Sequence, residues 1–245
     1  MSENSPKQSF AHLRLHTEFS INDGLVTIKP LIAKLREHSM PAVAITDLAN
    51  MFCLIKFYSA AIRAGIKPVC GCDVLVESDD RSQQTRLLLL VKDQTGYLSL
   101  TKLISELYTE NPGQSEPIIR KSMLAGRVDG LIALSGAQNS DVGAALLRGE
   151  PELAKELLQQ WQALFPDSFY LELQRVGKPE EEDYIDAAVL LALGTACPVV
   201  ATNDVRFIDQ DDFDAHEVRV CINERRTLDD PRRPHNYTDQ QYLKS

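Results

Sequence analysis

The 245-residue chain contains no apolar stretch long enough to cross a lipid bilayer. Its longest apolar run, residues 187–193, is far shorter than the roughly 20 residues that a membrane-spanning helix needs. Residues 1–6 have neither a basic start nor an apolar segment of the kind that marks a secretion signal. We therefore expect a cytoplasmic protein without membrane contact.

The chain also lacks an excess of positive charge. Its 26 lysines and arginines are outnumbered by 35 aspartates and glutamates, which gives a formal net charge of −9. A domain that grips a nucleic-acid backbone by itself needs a basic face, so we expect no direct DNA binding. The acidic balance suits either a protein-binding role or a metal site lined by carboxylates, and it does not separate the two.

Cysteine is scarce and poorly paired. The five cysteines include no C-x-x-C pair, and Cys70 and Cys72 are the only two that lie close together in the sequence. Their apolar surroundings favour reduced, buried thiols. The sequence therefore argues against a disulfide framework and against a structural zinc site.

Short apolar runs typical of strands alternate with segments of helical period. Ile28, Leu31, Ile32 and Leu35 have the i, i+3, i+4, i+7 spacing of an amphipathic helix, and residues 153–165 share that period. A strand followed by a helix, about seven times over, predicts an α/β fold with a largely parallel sheet. A barrel and a doubly wound open sheet both fit this pattern. The predicted strands are residues 11–16, 42–46, 68–76, 85–91, 131–135, 169–173 and 199–202.

The C-terminal residues have the pattern of a turn followed by the start of a helix. Residues 229–236 combine proline, aspartate and asparagine, and residues 238–241 resemble a helix N-terminus. We therefore expect a helix to begin near Asp239 and the chain to be a fragment of a longer protein.

Four groups of polar residues follow predicted strands. They are residues 12–16 with Asp23 a little further on, residues 45–47, residues 71–73 and residues 201–206. The loops that leave this end of a parallel sheet build the active sites of α/β folds. Taken singly, an aspartate after a strand is more often a helix N-cap, and a lone histidine is more often structural. Four groups on one predicted face indicate a functional site.

These residues, in this order, resemble a known family: the PHP (polymerase and histidinol phosphatase) domain, in the version carried by bacterial replicative DNA polymerase alpha subunits. The resemblance covers essentially the whole chain. It implies a distorted (β/α)7 barrel, and so decides between the barrel and the open sheet. The landmarks that carry it are residues 15–24, 44–47, 65–71, 95–97, 170–173 and 201–205.

Metal-bearing members of this family hold divalent ions at the carboxyl mouth of the barrel, where paired ions activate water and clamp a phosphate during hydrolysis. The resemblance places several of their ligand positions on this chain. His16, Asp23 and Asp204 match the family pattern, and Asp73 is a shorter carboxylate where glutamate is usual.

Five further ligand positions have lost their ligands, and these are Arg14, Leu48, Arg86, Ala137 and Arg206. Leucine and alanine cannot coordinate a metal, and arginine stays protonated at any relevant pH. The resemblance therefore implies a vestigial site for which we expect no metal or other cofactor. At most, the four remaining ligands would hold Mg, Mn or Zn weakly.

The guanidinium groups at three of these positions have a physical interpretation. Clustered carboxylates repel one another unless cations neutralise them. Arg14, Arg86 and Arg206 are therefore expected to converge on the aspartates of the site. The alternative is that the three side chains point to solvent.

The resemblance implies a role in DNA replication as a structural scaffold. In such alpha subunits the DNA-directed DNA polymerase domains follow the PHP barrel. We therefore expect residues 1–228 to form the barrel and residues 229–245 to begin the connection to those domains. The expected partners are the downstream domains, the proofreading exonuclease subunit and other subunits of the polymerase holoenzyme. No catalytic residue is expected in this chain.

Two other functions stay open. The first is a weakly active metal-dependent phosphoesterase or pyrophosphatase that uses the four remaining ligands. The second is a small-molecule phosphatase unrelated to replication, which the polymerase-type landmarks at residues 203–207 and 213–217 disfavour.

Overall fold

The computed structural model describes residues 10–77, 84–110 and 117–245. Among these residues, no helix is long and apolar enough to cross a membrane. The strands are β1 (Ala42–Ile45), β2 (Lys67–Glu77), β3 (Gln84–Val91), β4 (Ile118–Ile119), β5 (Leu131–Leu134), β6 (Phe169–Gln174) and β7 (Val199–Thr202). The helices are α1 (Ile28–Glu37), α2 (Leu54–Arg63), α3 (Gln94–Glu110), α4 (Lys121–Leu124), α5 (Asp141–Leu147), α6 (Pro151–Leu164), α7 (Glu181–Thr195) and α8 (Phe213–Glu224).

The strands form one curled sheet in the order β1-β2-β3-β5-β6-β7, with the short β4 paired to β2. The pairs β1–β2, β5–β6 and β6–β7 are parallel, as predicted, and β4, which was not predicted, also pairs parallel with β2. Strand β3, however, runs antiparallel to both β2 and β5, which the sequence pattern did not indicate. Only residues 78–83 separate β2 from β3, and a parallel connection needs a crossover of about a dozen residues or more.

The segment predicted as the first strand, residues 11–16, joins the two ends of the sheet without forming a regular strand. Isolated bridges connect it to Val43 in β1 and to Val205 just beyond β7. On the β1 side, Leu15 O accepts a hydrogen bond from Thr46 N at 2.9 Å. The sheet is thus closed into a distorted (β/α)7 barrel, which confirms the fold class that the resemblance implied.

Two apolar clusters hold the helices against the sheet. The larger one packs α3 and α6 onto the strands, with Val74, Leu100 and Trp161 among its buried members. The second packs α1 and α2 against β1 through side chains such as Leu35 and Phe57. Each fully buried large apolar side chain contributes about 1.5–3 kcal/mol. The two amphipathic helices predicted from the sequence are confirmed as α1 and α6.

The C-terminal strap (residues 237–244) is extended, so the prediction of a helix near Asp239 is wrong. The structure describes every residue of this segment, and its regular feature is a turn at residues 239–240. Leu243 is buried in the cluster formed by α1 and α2. Lys244 O accepts a hydrogen bond from His12 Nε2 at 2.8 Å. These contacts with the barrel require an extended backbone, and they outweigh the local capping pattern.

Candidate functional site

Charged side chains from distant parts of the chain meet at one end of the barrel. Arg14 and His16 lie two residues apart on an extended segment, as do Asp204 and Arg206, and that spacing puts both members of each pair on one face. All of the members are buried except Arg86, whose side chain is 21% exposed. We call this group the mouth cluster: Arg14, His16, Asp23, Asp73, Arg86, Glu172, Asp204 and Arg206.

Arg14 lies at the centre of the cluster and pairs with two carboxylates. Its Nε and Nη2 donate to Glu172 Oε1 and Oε2, both at 2.8 Å. Its Nη1 donates to Asp73 Oδ2 at 2.6 Å. A two-pronged arginine–carboxylate pair of this kind is among the strongest hydrogen-bonded arrangements in proteins. Glu172 Oε2 also accepts from Gly136 N at 3.0 Å, so both charges are well satisfied despite complete burial.

His16 bridges two aspartates. Its Nδ1 lies 2.9 Å from Asp23 Oδ1, and its Nε2 lies 3.1 Å from Asp73 Oδ2. Arg206 Nη1 also contacts the Nδ1 atom. Burial and the Arg206 guanidinium lower the pKa of His16, but the two carboxylates outweigh them, and the pKa is raised above its ordinary value.

Arg206 joins the two remaining aspartates. Its Nη1 donates to Asp23 Oδ2 at 2.5 Å, and its Nη2 donates to Asp204 Oδ1 at 2.7 Å. The C-terminal strap completes the arrangement. Gln241 Nε2 donates to Asp204 Oδ2 at 2.7 Å, and the Tyr237 hydroxyl donates to Asp23 Oδ2 at 3.2 Å.

Arg86 is the outermost arginine of the cluster. Its Nη1 donates to Asp73 Oδ2 at 2.8 Å, and its Nη2 lies 3.8 Å from Asp23 Oδ2. The prediction that the three arginines converge on the aspartates is therefore confirmed, and the alternative of solvent-facing side chains is wrong.

The arginines determine the protonation of the aspartates. Burial alone would raise the pKa of Asp73, but Arg14 and Arg86 hold it far below its usual range. For Asp204, burial is likewise outweighed by Arg206 and Lys178, and its pKa is also strongly lowered. Opposite charges within a few ångströms favour the ionised form of a carboxyl group. Asp73 and Asp204 are therefore ionised at neutral pH, each paired with a charged guanidinium.

Asp47, which follows β1, is buried beside the cluster, and its hydrogen-bond donors among the described residues are neutral. Its carboxylate accepts from Thr17 N at 2.6 Å, from Thr17 Oγ1 at 2.8 Å and from Ser20 Oγ at 2.7 Å. Burial raises its pKa, and the hydrogen bonds from Ser20 and Thr17, together with the nearby His16, only partly oppose that rise. Asp47 fixes the loop after residue 16, so it is neither a helix N-cap nor a member of the cluster.

Leu48 and Ala137, the two uncharged positions of the predicted site, lie in apolar surroundings. Leu48 packs with Ala49 and Leu75. Ala137 packs with Tyr184 in a separate cluster. The structure therefore brings seven of the nine predicted site residues into the ion-pair network and leaves these two outside it.

Sequence reasoning missed Glu172 as a site residue, although it fell within one of the landmarks. Its signal was present, because it is the one charged residue in the strand Phe169–Gln174 and is fully buried there. Gln241 was missed because its segment was assigned to a nascent helix, and Tyr237 was missed because it lies between that segment and the predicted turn. Lys178, whose Nζ lies 3.8 Å from Asp204 Oδ2, lies in the loop between β6 and α7, which carried no motif.

Comparison with known proteins identifies the family to which the barrel belongs. The PHP domain pattern matches residues 12–176 of the chain. The chain belongs to the PHP domain family. Among solved structures, a PHP-like fold comparable to this one is seen in a protein described as a metal-dependent phosphoesterase from Bifidobacterium adolescentis. That structure has a TM-score of 0.54 and 12% identity over 82% of this chain and 88% of the other, which shows a shared fold.

Two relatives are far more similar in sequence. DNA polymerase III subunit alpha of Pseudomonas aeruginosa is 52% identical over 97% of this chain and 20% of its own length. The Escherichia coli K12 protein of the same name is 49% identical over 96% of this chain and 20% of its own. The chain thus spans about a fifth of the length of the curated relatives it matches.

PHP barrels imply a metal centre at this mouth, and the residues present do not fit one. Asp23, Asp73 and Asp204 each accept hydrogen bonds from a guanidinium, which cannot deprotonate to make room for a cation. Asp73 Oδ1 is buried without a hydrogen-bond partner among the described residues, but one carboxylate oxygen is too few for a metal site. In the part of the chain that the structure describes, no group of three or more His, Cys, Asp or Glu could hold an ion.

Proposed function

We propose that this chain is the N-terminal PHP domain of a bacterial replicative DNA polymerase alpha subunit and that it serves DNA replication as a structural scaffold. The identity of 52% over 97% of the chain supports this assignment. DNA-directed polymerisation belongs, in this proposal, to domains that follow the PHP barrel in the longer protein. The chain itself contributes no catalytic residue.

The observation that carries the scaffold role is the mouth cluster. A metal-dependent hydrolase needs carboxylates and imidazoles that are free to coordinate its ions. Here the same groups are held in hydrogen-bonded ion pairs by Arg14, Arg86 and Arg206. We infer a degenerate metal site in which fixed guanidinium charges have taken over the neutralising role of the ions. Such a network ties distant segments of the barrel together without requiring chemistry.

Protein partners form the second part of the proposal. Helices α2 and α7 expose large apolar side chains, including Ile55 at 74%, Leu190 at 71% and Leu193 at 77%. Exposed apolar patches of this kind are typical of protein interaction sites. We propose that the proofreading exonuclease subunit, other holoenzyme subunits and the downstream polymerase domains cover such surfaces in the cytoplasm. With a net charge of −9, the chain makes no direct DNA contact.

A binding measurement tests the docking role. The 245-residue chain and the full-length alpha subunit are each injected over immobilised exonuclease subunit in a surface plasmon resonance experiment. We expect both to bind, and we expect Ile55→Asp or Leu190→Asp to weaken binding, with the exposed Lys102→Glu as a control. If the full-length subunit binds and the folded chain does not, the docking role is wrong.

The alternative of a weakly active phosphoesterase or pyrophosphatase is favoured by one observation, since His16 still contacts both Asp23 and Asp73. We expect negligible turnover with added Mn²⁺ or Zn²⁺, and well under one bound ion per chain by elemental analysis after dialysis. A metal-dependent activity that disappears in Asp204→Asn would favour the enzyme. An activity unaffected by that substitution would point to a contaminant.

A further inference from the structure

Helix α2 is apolar on two opposite faces. Its inner face packs Phe57 and Ala61 into the cluster that it shares with α1. Its outer face carries Ile55 and Ile62, which are 74% and 54% exposed, and Phe52 just before the helix is 65% exposed. A helix that is apolar all round is normally buried. We call the outer face the α2 surface, and it consists of Phe52, Ile55, Lys56, Tyr58, Ile62 and Arg63.

The neighbouring helix α1 has the ordinary pattern of a helix at the surface of a protein. Its inner side chains Leu31 and Leu35 are fully buried in the same cluster. Its exposed positions include Lys29, Arg36 and Glu37, and none of its large apolar side chains is exposed in the structure, which describes the whole helix. The exposed apolar stripe therefore belongs to α2 alone. Such a stripe is typical of a surface that another molecule covers.

The α2 surface is positively charged, although the chain as a whole is acidic. Residues 51–67 contain Lys56, Arg63 and Lys67 and no aspartate or glutamate, whereas the chain has a net charge of −9. None of these three cations forms an ion pair with a described residue. Lys56 Nζ instead lies 5.2 Å from the centre of the Phe19 ring. The positive charges of this region are therefore available to a partner.

An acidic side chain also borders this surface. Glu18 directly precedes Phe19, the ring that Lys56 contacts, and it is exposed. It offsets at most one of the three positive charges, so the region keeps a positive excess.

The arrangement of apolar and charged side chains indicates the kind of partner. The helical period places Ile55 and Ile62 between Tyr58 on one side and the cations Lys56 and Arg63 on the other. Isoleucine offers no ring on which a base could stack, and surfaces that bind single-stranded nucleic acid rely on such rings. An amphipathic helix, in contrast, lays an apolar stripe against an apolar surface. Charges at the edge of such a contact select the partner.

We propose that the α2 surface docks an amphipathic helix of a partner protein, with apolar side chains against Ile55 and Ile62 and with carboxylates beside Lys56 and Arg63. The proposal rests on the docking role proposed above and adds the chemistry of the segment that α2 takes. The occupant is an acidic segment of another subunit. It is not nucleic acid, a second copy of this chain or a downstream domain of the same polypeptide.

The test is a fluorescence anisotropy titration with two labelled synthetic helical peptides. They share one leucine stripe and differ only in the flanking residues, which are glutamate in one and lysine in the other. We expect the 245-residue chain and the full-length alpha subunit to bind the glutamate peptide with a micromolar dissociation constant. The lysine peptide should bind about tenfold more weakly at low salt, and added salt should reduce the difference. The net charge of −9 favours the opposite order, so this preference would come from a local surface.

A pair of isoleucine variants locates the apolar part of the contact. Ile55→Ser should weaken binding of the glutamate peptide about tenfold, because it removes most of one apolar anchor. The matched control is Ile222→Ser on α8, since Ile222 is 73% exposed and lies outside the α2 surface. It should bind the peptide as the unmodified chain does. Circular dichroism confirms that each variant is folded.

A pair of charge variants tests the choice of an acidic partner. Replacing both Lys56 and Arg63 by glutamine should abolish the preference for the glutamate peptide. Replacing Lys29 and Arg36 of α1 by glutamine changes the net charge by the same amount and should leave the preference intact. Equal effects of the two double variants would overturn the proposal, because the preference would then depend on total charge.

The remaining outcomes are also decisive. The proposal is overturned if neither peptide binds, if the lysine peptide binds as tightly as the glutamate peptide, or if Ile55→Ser has no more effect than Ile222→Ser. It is also overturned if Ile55→Ser abolishes binding of a single-stranded oligothymidylate or self-association of the chain. Binding by the 245-residue chain but not by the full-length subunit would assign the surface to the downstream domains. If the exonuclease subunit binds and the peptides do not, the docking role stands and the acidic partner is wrong. In the reverse case, α2 takes an acidic segment of a different subunit.

Discussion

Two neighbouring aspartates near the barrel mouth, Asp73 and Asp47, are equally buried, but their pKa values are shifted in opposite directions. Their exposed fractions are 0% and 1%, and Asp73 N donates to Asp47 O at 3.1 Å. Asp73 accepts from two guanidiniums and an imidazole, and its pKa falls. Asp47 accepts from hydroxyl and amide donors only, and its pKa rises.

The comparison shows that burial does not by itself decide whether a carboxyl group is ionised. Desolvation is the largest effect on both groups and acts in the same direction. The charge of the hydrogen-bond donors decides the sign of the net shift. In this barrel, the guanidiniums of Arg14 and Arg86 keep Asp73 ionised, while the pKa of Asp47, which accepts from neutral donors, is raised.

The largest expected effect is on Asp73→Asn. The substitution keeps the shape of the side chain but removes a buried anion, so that the charge of Arg14 is balanced by Glu172 alone and that of Arg86 only by Asp23 at 3.8 Å. We expect the free energy of unfolding to fall by about 3–5 kcal/mol, as measured by urea denaturation. The exposed Glu156→Gln on α6 is the control and should change stability very little. A cost below that of an ordinary hydrogen bond would mean that the ion pairs are not what stabilises this region.

Asp47→Asn should cost less, about 1–2 kcal/mol at neutral pH, because it disturbs hydrogen bonds between an acceptor and neutral donors. Thr17 and Ser20 carry hydroxyl groups that can reorient toward the new amide. The same denaturation experiment measures it. If Asp47→Asn proves more costly than Asp73→Asn, charged partners do not stabilise a buried carboxylate more than neutral partners do.

Acidification should move these two costs in opposite directions. Because the pKa of Asp73 is lowered in the folded chain, the unfolded chain binds a proton at this residue first as the pH falls below about 4. The contribution of Asp73 to the free energy of unfolding therefore falls by roughly 0.6 kcal/mol by pH 3.5, and the cost of Asp73→Asn shrinks. Because the pKa of Asp47 is raised, the folded chain binds a proton at this residue first. The contribution of Asp47 to the free energy of unfolding therefore rises between pH 7 and pH 3.5, and the cost of Asp47→Asn grows. Denaturation curves at pH 7 and pH 3.5 check both signs. Parallel changes in the two variants would contradict the assignment.

A smaller effect is expected for Tyr237→Phe. The substitution removes one hydrogen bond to Asp23 at 3.2 Å from a carboxylate that keeps its ion pair with Arg206. A loss of about 0.5–1 kcal/mol is expected, again by urea denaturation. A loss as large as that of Asp73→Asn would mean that the strap, and not the arginine network, holds the cluster in place.

The smallest response is expected at Cys72, a thiol that lies between the two aspartates. Burial raises its pKa well above the ordinary value, and the negative charges of Asp73 and Asp47 raise it further. The reactive thiolate is therefore almost absent at pH 8. In a variant whose other four cysteines are replaced by alanine, a chromogenic disulfide reagent should give no fast phase until urea unfolds the chain. A fast reaction of the native protein would show that this part of the barrel opens readily.

Much of the fold could be predicted from the sequence, because the period of the hydrophobic residues distinguishes strands from helices and their order along the chain indicates the fold class. Strand-like runs located six of the seven named strands to within a few residues, but β4, with only two residues, was too short to give a period. The direction of β3 was wrong because an apolar run has no orientation, and the short connection to β2 decided it. Residues 11–16 were predicted as a strand because their alternation is real, although they form only isolated bridges.

The sequence predicted those members of the site that belong to short local motifs. Arg14 and Arg206 could be assigned because each lies two residues from another member of the cluster, so a pattern along the chain locates both. Glu172 pairs with a partner 158 positions away, and no local pattern connects the two. Gln241 reaches Asp204 only because the strap is extended, which its turn-like composition and helix-like start concealed.

The C-terminal strap has a mechanical consequence. Its side chains are fastened at Asp23 and Asp204, and Leu243 is embedded among the apolar side chains of α1 and α2. A pull on Ser245 would load these attachments in shear before any segment could swing freely. A domain joined to that residue would therefore have little freedom to move relative to the barrel. A force on it would act first on the hydrogen bonds between the strap and the mouth cluster.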